Sequence, residues 1–197
     1  MGFQKLTLRL WCALAVVMAC ATTSTTAQAS DLSDKLQSPE YVLLMRHTRA
    51  PGNGDPANYT LDDCTTQRNL SNEGRKQAVA AGHWLKKQGV PTANVHTSAW
   101  CRCKDTAELL KLGPVTVEPA LASFFDDMAR AKTQNQKLEK FIAAQLKTKG
   151  KQALVLVTHH VNIYEFMGEN IASGDMVLAK VDSHGKMVAY KLIPRPD

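Results

Sequence analysis

Short, unbroken apolar runs alternate along this chain with longer segments whose apolar residues recur every three or four positions. The run Tyr41-Val42-Leu43-Leu44-Met45 reads as a strand. Residues 71–88 read as a helix: Ser71 is a candidate N-cap, Glu73 suits the first turn, Lys86 and Lys87 suit the last, and Gly89 and Pro91 end it. A short strand follows near 94–97, then helical spacing over 100–110 with a Gly113-Pro114 stop, then a short strand in VTVEP, 115–119. Leu138, Phe141, Ile142 and Leu146 put one apolar face on a helix over 134–147, closed by Gly150. ALVLV, 153–157, is continuously apolar, as a central parallel strand covered on both faces must be. VNIYEFMGENI reads as a helix, and MVLAKV and MVAYKL, joined by residues 182–186, read as a closing hairpin. Strands alternating with helices predict an α/β domain, a three-layer αβα sandwich with a mainly parallel central sheet.

The N-terminus breaks this pattern. Lys5 and Arg9 precede an apolar run, Leu10 to Ala21, too short to span a bilayer and the right length for an export signal. Ala27-Gln28-Ala29 fits a small-residue cleavage site. The expectation is a signal peptide over 1–29, a single domain over 30–197, and an exported, periplasmic protein with no stable membrane span. Val17-Met18-Ala19-Cys20 loosely fits a lipoprotein site, so a lipid anchor on Cys20 is the alternative. The net charge of +6 falls to +4 without Lys5 and Arg9. That favours an anionic substrate, but the clustered basic stripe and stacking aromatics of a nucleic-acid binder are missing. Three of the five cysteines survive cleavage: Cys64, Cys101 and Cys103. Cys101 and Cys103 are too close for an easy bridge with each other, so Cys64 is expected to pair with one of them and leave one thiol over. C-x-C is not the spacing of a structural zinc site.

Ligands of open α/β sheets sit beyond the carboxyl ends of the strands. Arg46 and His47 follow the first strand, Ser98 and then Arg102 follow the second, and Thr158, His159 and His160 follow ALVLV. Arginines beside imidazoles would repel a divalent metal and suit a phosphoryl group, whose oxygens match a guanidinium fork; the opening of a helix capped by Ser98 would add N–H donors. No metal or cofactor is implied. There is no G-K-[ST] to cradle a nucleotide, and counting a C-x5-R loop from Cys64, Cys101 or Cys103 lands on Leu70, Ala107 or Leu109. The nucleophile is therefore expected to be a histidine, held neutral by neighbouring positive charge. The glycine-containing segment Pro51 to Pro56 reads as a surface turn.

LLMRHT, TSAWCRCKDTAELL and LVTHH resemble, in order and spacing, the motifs of the histidine phosphatase (phosphoglycerate-mutase-like) superfamily, over residues 41–165. The resemblance implies a phosphoglycerate-mutase-like fold. It also implies a metal-independent phosphomonoesterase that passes the phosphoryl group through His47, with Arg46, Arg102 and His159 binding it. Small phosphorylated molecules are the implied substrates, with an envelope sugar phosphate suggested by export. Two departures stand out. The family's Gly after the nucleophile is Thr48 here, which bears on the shape of the first turn. Ser123 stands where an acid is usual, leaving Asp126 and Asp127 as proton-donor candidates. They motivate an alternative, an anion-binding protein of the same fold without turnover. Arg49, Gln67 and Arg68 are second-tier pocket candidates, His160 reads as structural, and His83, His96 and His184 read as surface or helix-face residues.

Overall fold

The computed structural model describes residues 27–196. The apolar leader and Cys20 lie outside the described residues; the cleavage position expected after Ala29 falls in the first turn of a helix, α1 (Ala27–Gln37). Sequence spacing did not pick out α1, because its buried leucines, Leu32 and Leu36, are diluted by polar neighbours. The chain continues through β1 (Tyr41–Arg46), α2 (Asn72–Lys87), β2 (Ala93–Thr97), α3 (Cys101–Leu110) and β3 (Val115–Val117). It ends with α4 (Ala131–Thr148), β4 (Ala153–Thr158), α5 (His160–Met167), β5 (Met176–Val181) and β6 (Met187–Ile193).

The six strands form one sheet in the order β3-β2-β4-β1-β5-β6. β3, β2, β4 and β1 are mutually parallel, while β5 and β6 add an antiparallel margin. Successive side chains of a strand alternate between faces, so a continuously apolar strand feeds two cores at once. Leu43, Met45, Val155 and Val157 pack with residues of α1, α2 and α3. Val42, Leu44, Leu154 and Leu156 pack with α4 and α5. The three-layer αβα expectation therefore holds, and both layers are built from the same six-residue strands.

The predicted signals at helix ends act locally. The Ser71 hydroxyl accepts the Gly74 amide at 3.0 Å, capping α2. Gly74 also lets α2 approach the chain after β1: a Cβ there would sit 2.1 Å from the Arg49 carbonyl oxygen. α5 is shorter than the apolar run suggested, because Gly168 stops it in a left-handed conformation at φ +83°. His83 and His184 are exposed as expected. His96 is not a surface residue; it lies half-buried on β2 with its ring edge-on to Phe141 at 5.0 Å. Among the described residues, no helix is long and apolar enough to cross a membrane.

Candidate active site

Register places the site. Arg46 at the end of β1 is level with Thr158 on β4, and Val157 is level with Thr97 on β2. The next residues of the three strands, His47, Ser98 and His159, thus emerge at one edge. The His47 amide donates to the Thr158 carbonyl at 3.0 Å and the Ser98 amide to that of Val157 at 3.1 Å, so the sheet ladder holds the nascent loops in place. A cavity of about 320 Å³ opens there, at the small end of the range for ligand sites. Arg46 and His47 from the end of β1, His159 from the end of β4 and Arg102 from the first turn of α3 all line it.

His47 is 2% exposed. Its Nδ1 lies 2.8 Å from the Thr48 carbonyl oxygen, which can only accept, so Nδ1 carries the proton and Nε2 keeps a lone pair. Burial, opposed in part by that hydrogen bond and reinforced by Arg102, Arg46 and Arg68, lowers its pKa to about 3. His159 is fixed in the opposite tautomer. Arg102 Nη2 donates toward its Nδ1 at 3.4 Å, and its Nε2 donates to the Ser98 hydroxyl at 2.7 Å. Burial and then the charge of Arg102 push its pKa well below the usual histidine range. The two rings meet edge to face, with centroids 5.7 Å apart. Two neutral imidazoles thus stand among fixed cations.

The arginines are tethered at one end and free at the other. Arg46 Nη1 donates to the Ile171 carbonyl at 2.8 Å. Arg102 Nη1 donates to Asp55 at 2.8 and 3.0 Å. The Nε atoms of both are buried without a protein partner. Buried donors are normally paired, so two unpaired guanidinium N–H groups on residues that line one cavity suit an anion. Arg68, a second-tier candidate, also lines the cavity; its Nε and Nη1 are held by the carbonyls of Gly54 and Ala50 at 2.7 and 2.6 Å. Among the described residues no cluster of three or more His, Cys, Asp or Glu side chains is arranged to hold a metal.

Several sequence expectations need correction. The Pro51–Pro56 segment is not merely a surface turn: Asn53, Gly54 and Asp55 line the cavity. Ser98 does not cap α3. The cap position is Trp100, which makes no side-chain cap bond, and the Ser98 hydroxyl serves His159 instead. Arg49 and Gln67 do not line the cavity; Gln67 accepts the Cys101 amide at 2.9 Å and ties the loop to α3. Asp126 reaches the cavity wall and accepts the Tyr59 hydroxyl at 3.1 Å, whereas Asp127 is exposed and does not line it. His160 does line the cavity, with Nε2 on Asn170 Oδ1, and Ser123 lines it as well. Asp55 carried no readable signal, because its partners lie 13 to 47 residues away.

Thr48 fits where a glycine is usual. Lys111 is the only non-glycine with positive φ among the described residues, so the turn after His47 demands no left-handed conformation at Thr48. The Thr48 amide and hydroxyl both donate to Thr106 Oγ1 at 3.2 Å, and that hydroxyl donates to the Arg102 carbonyl at 2.7 Å. The tip of β1 is thereby bound to the turn of α3 that carries Arg102. Cys64 and Cys101 form a disulfide, and Cys103 is the buried free thiol beside His159, with burial raising its pKa to about 12.

The fold recurs in solved phosphatases. The protein histidine phosphatase SixA complexed with tungstate aligns with a TM-score of 0.52 at 21% identity, over 78% of this chain and 94% of its own. A mycobacterial glucosyl-3-phosphoglycerate phosphatase complexed with VO3 aligns with a TM-score of 0.56 at 15% identity, over 78% of this chain and 97% of its own. Phosphoserine phosphatase from Entamoeba histolytica aligns at 0.56 and 11% identity, over 76% and 95%. No curated protein sequence matches the chain. The description "Histidine phosphatase superfamily (branch 1)" matches residues 42–140, a stretch that runs from β1 into α4 and includes His47 and Arg102. With that match over half its length, the chain belongs to the histidine phosphatase superfamily.

Proposed function

We propose that this protein is a phosphomonoesterase that works through a phosphohistidine on His47 without a metal. Membership of a phosphatase superfamily supports the reaction class. The observation that carries the mechanism is the tautomer of His47: its proton is committed to the Thr48 carbonyl, leaving Nε2 with a lone pair in a cavity lined by three arginines. The lone pair attacks phosphorus, the P–O bond to the alcohol breaks, and the alcohol oxygen takes up a proton. Water then attacks phosphorus, the P–N bond breaks, and orthophosphate leaves with the ring restored. Arg46 and Arg102 bind the oxygens as charge shifts between them, and His159, whose Nδ1 faces Arg102 Nη2, completes the pocket wall. Asp126, the acid candidate on the cavity wall, is assigned the proton for the leaving alcohol.

The substrate class we favour is a small sugar phosphate of the cell envelope, met after export to the periplasm. The leader-like segment of Leu10 to Ala21 and the Cys64–Cys101 bridge, a bond at home in an oxidising compartment, support that location. The test is phosphate release from 4-nitrophenyl phosphate, with and without a chelator, by the parent and His47→Ala. His47→Ala should lose at least about a thousandfold, the scale for removing a nucleophile that acts with its partners as a unit, and chelation should change nothing. A parent no faster than His47→Ala would make the protein an anion-binding module. Asp126→Asn should slow alkyl phosphates more than aryl ones, whose leaving groups need less protonation.

A further inference from the structure

Asp55 has no assigned role, yet it is the most heavily engaged carboxylate of the site. Its side chain is 4% exposed, as is that of Arg102. Each group it meets is a donor. Arg102 Nη1 reaches Oδ1 at 2.8 Å and Oδ2 at 3.0 Å, the Trp100 indole N–H reaches Oδ2 at 3.2 Å, and the Arg68 amide reaches Oδ1 at 3.0 Å. That is the pattern of an acceptor-only carboxylate with both oxygens occupied, so Asp55 has no free lone pair with which to act on substrate.

What it holds is the orientation of Arg102. A guanidinium offers a side-on fork made of Nε–H and Nη2–H, which matches two phosphate oxygens. By taking Nη1, Asp55 leaves that fork unspent: Nε is buried without a partner, and Nη2 has only the 3.4 Å contact to His159. Arg46 is arranged the same way, with Nη1 on a backbone carbonyl and Nε unpaired. The difference is charge. Arg102 is 3% exposed and shares its cavity with Arg46 and Arg68, so a neutral tether would leave a buried cation uncompensated. We propose that Asp55 is the positioning residue of Arg102, fixing the plane of its fork and balancing its charge; this rests on the phosphatase reading above. An amide cannot replace it, because the NH2 of Asn would face Nη1 and either the indole or the Arg68 amide, donor against donor.

Four proteins test this: the parent, Asp55→Asn, Arg102→Lys and the double variant. Each is read for kcat/KM on 4-nitrophenyl phosphate and for the Kd of inorganic phosphate. Asp55→Asn should cost about a hundredfold in kcat/KM, mostly in kcat, the scale of an ångström-sized misplacement, and weaken phosphate binding about tenfold. In the Arg102→Lys background, where no fork remains, the same change should cost less than about threefold in either quantity. A loss under about threefold in the parent, or an equal factor in both backgrounds, would overturn the proposal. Should the parent hydrolyse nothing, the phosphatase reading fails, and the phosphate Kd values across the four proteins decide the role of Asp55 by the same criterion. Should Asp55→Asn melt below the assay temperature, Asp55→Glu, which keeps the charge and displaces it by one methylene, is read in the same two backgrounds against the same limits.

Discussion

Acid should destabilise this fold through His47, and the size of the effect follows from its surroundings. The ring is buried beside three arginines and has a pKa of about 3 in the fold, against 6.5 when free. Between those values the unfolded chain binds a proton that the folded chain refuses, so stability is full above 6.5 and falls as the pH drops toward 3. At about pH 4.5 the offset is two units at about 1.4 kcal/mol each, or about 3 kcal/mol. His159 is displaced in the same direction and adds to the loss. Urea unfolding at about pH 7.5 and about pH 4.5 measures it in the parent and in His47→Asn, whose amide keeps a donor for the Thr48 carbonyl and has no proton to gain. The parent should lose about 3 kcal/mol more than the variant on acidification, a difference of roughly 1–2 M in urea midpoint. Equal losses in the two proteins would refute the claim that His47 is held neutral by its site.

Gly82→Ala should destabilise by more than about 2 kcal/mol despite a gain of up to about 1 kcal/mol in helix propensity, because the new Cβ would sit 2.2 Å from the Leu110 carbonyl oxygen where α2 crosses α3; a raised Tm would show that the helices part freely. Replacing Cys64 and Cys101 by Ser opens a loop of 37 residues and should cost about 2–4 kcal/mol in denaturant unfolding. The native protein lacking residues 1–29 should meanwhile show no reactive thiol and, once unfolded, a single one, Cys103.

The chemistry at the strand ends was legible for a physical reason. A strand that is apolar on both faces announces itself in five or six residues, and the residues just past its end must fall at the rim of a parallel sheet. Arg46, His47 and His159 are read in that way, and the short link from β2 to α3 brings Arg102 with them. The start of α2 at Ser71 was readable for the same reason, since a cap is decided by neighbours within four residues; the stop of α5 at Gly168 was not read, because the apolar residue beyond it, Ile171, extended the helical spacing.

What only the tertiary structure decided are the partnerships across long stretches of chain. The 51–68 segment contains one buried residue, Gln67, so no hydrophobic pattern says where it lies. Its place is determined by Asp55 on Arg102, by Gln67 on the Cys101 amide and by the Cys64 bridge, contacts 34 to 47 residues apart. The choice of Cys101 over Cys103 and the turn of Ser98 from helix cap to histidine partner arise in the same way. From its local alternation of apolar and polar residues, the sequence alone determined which elements form and which basic groups reach the rim. Which acceptors orient those groups depends on loop closure, where a single carboxylate buried among donors outweighs the solvent-seeking composition of the segment that carries it.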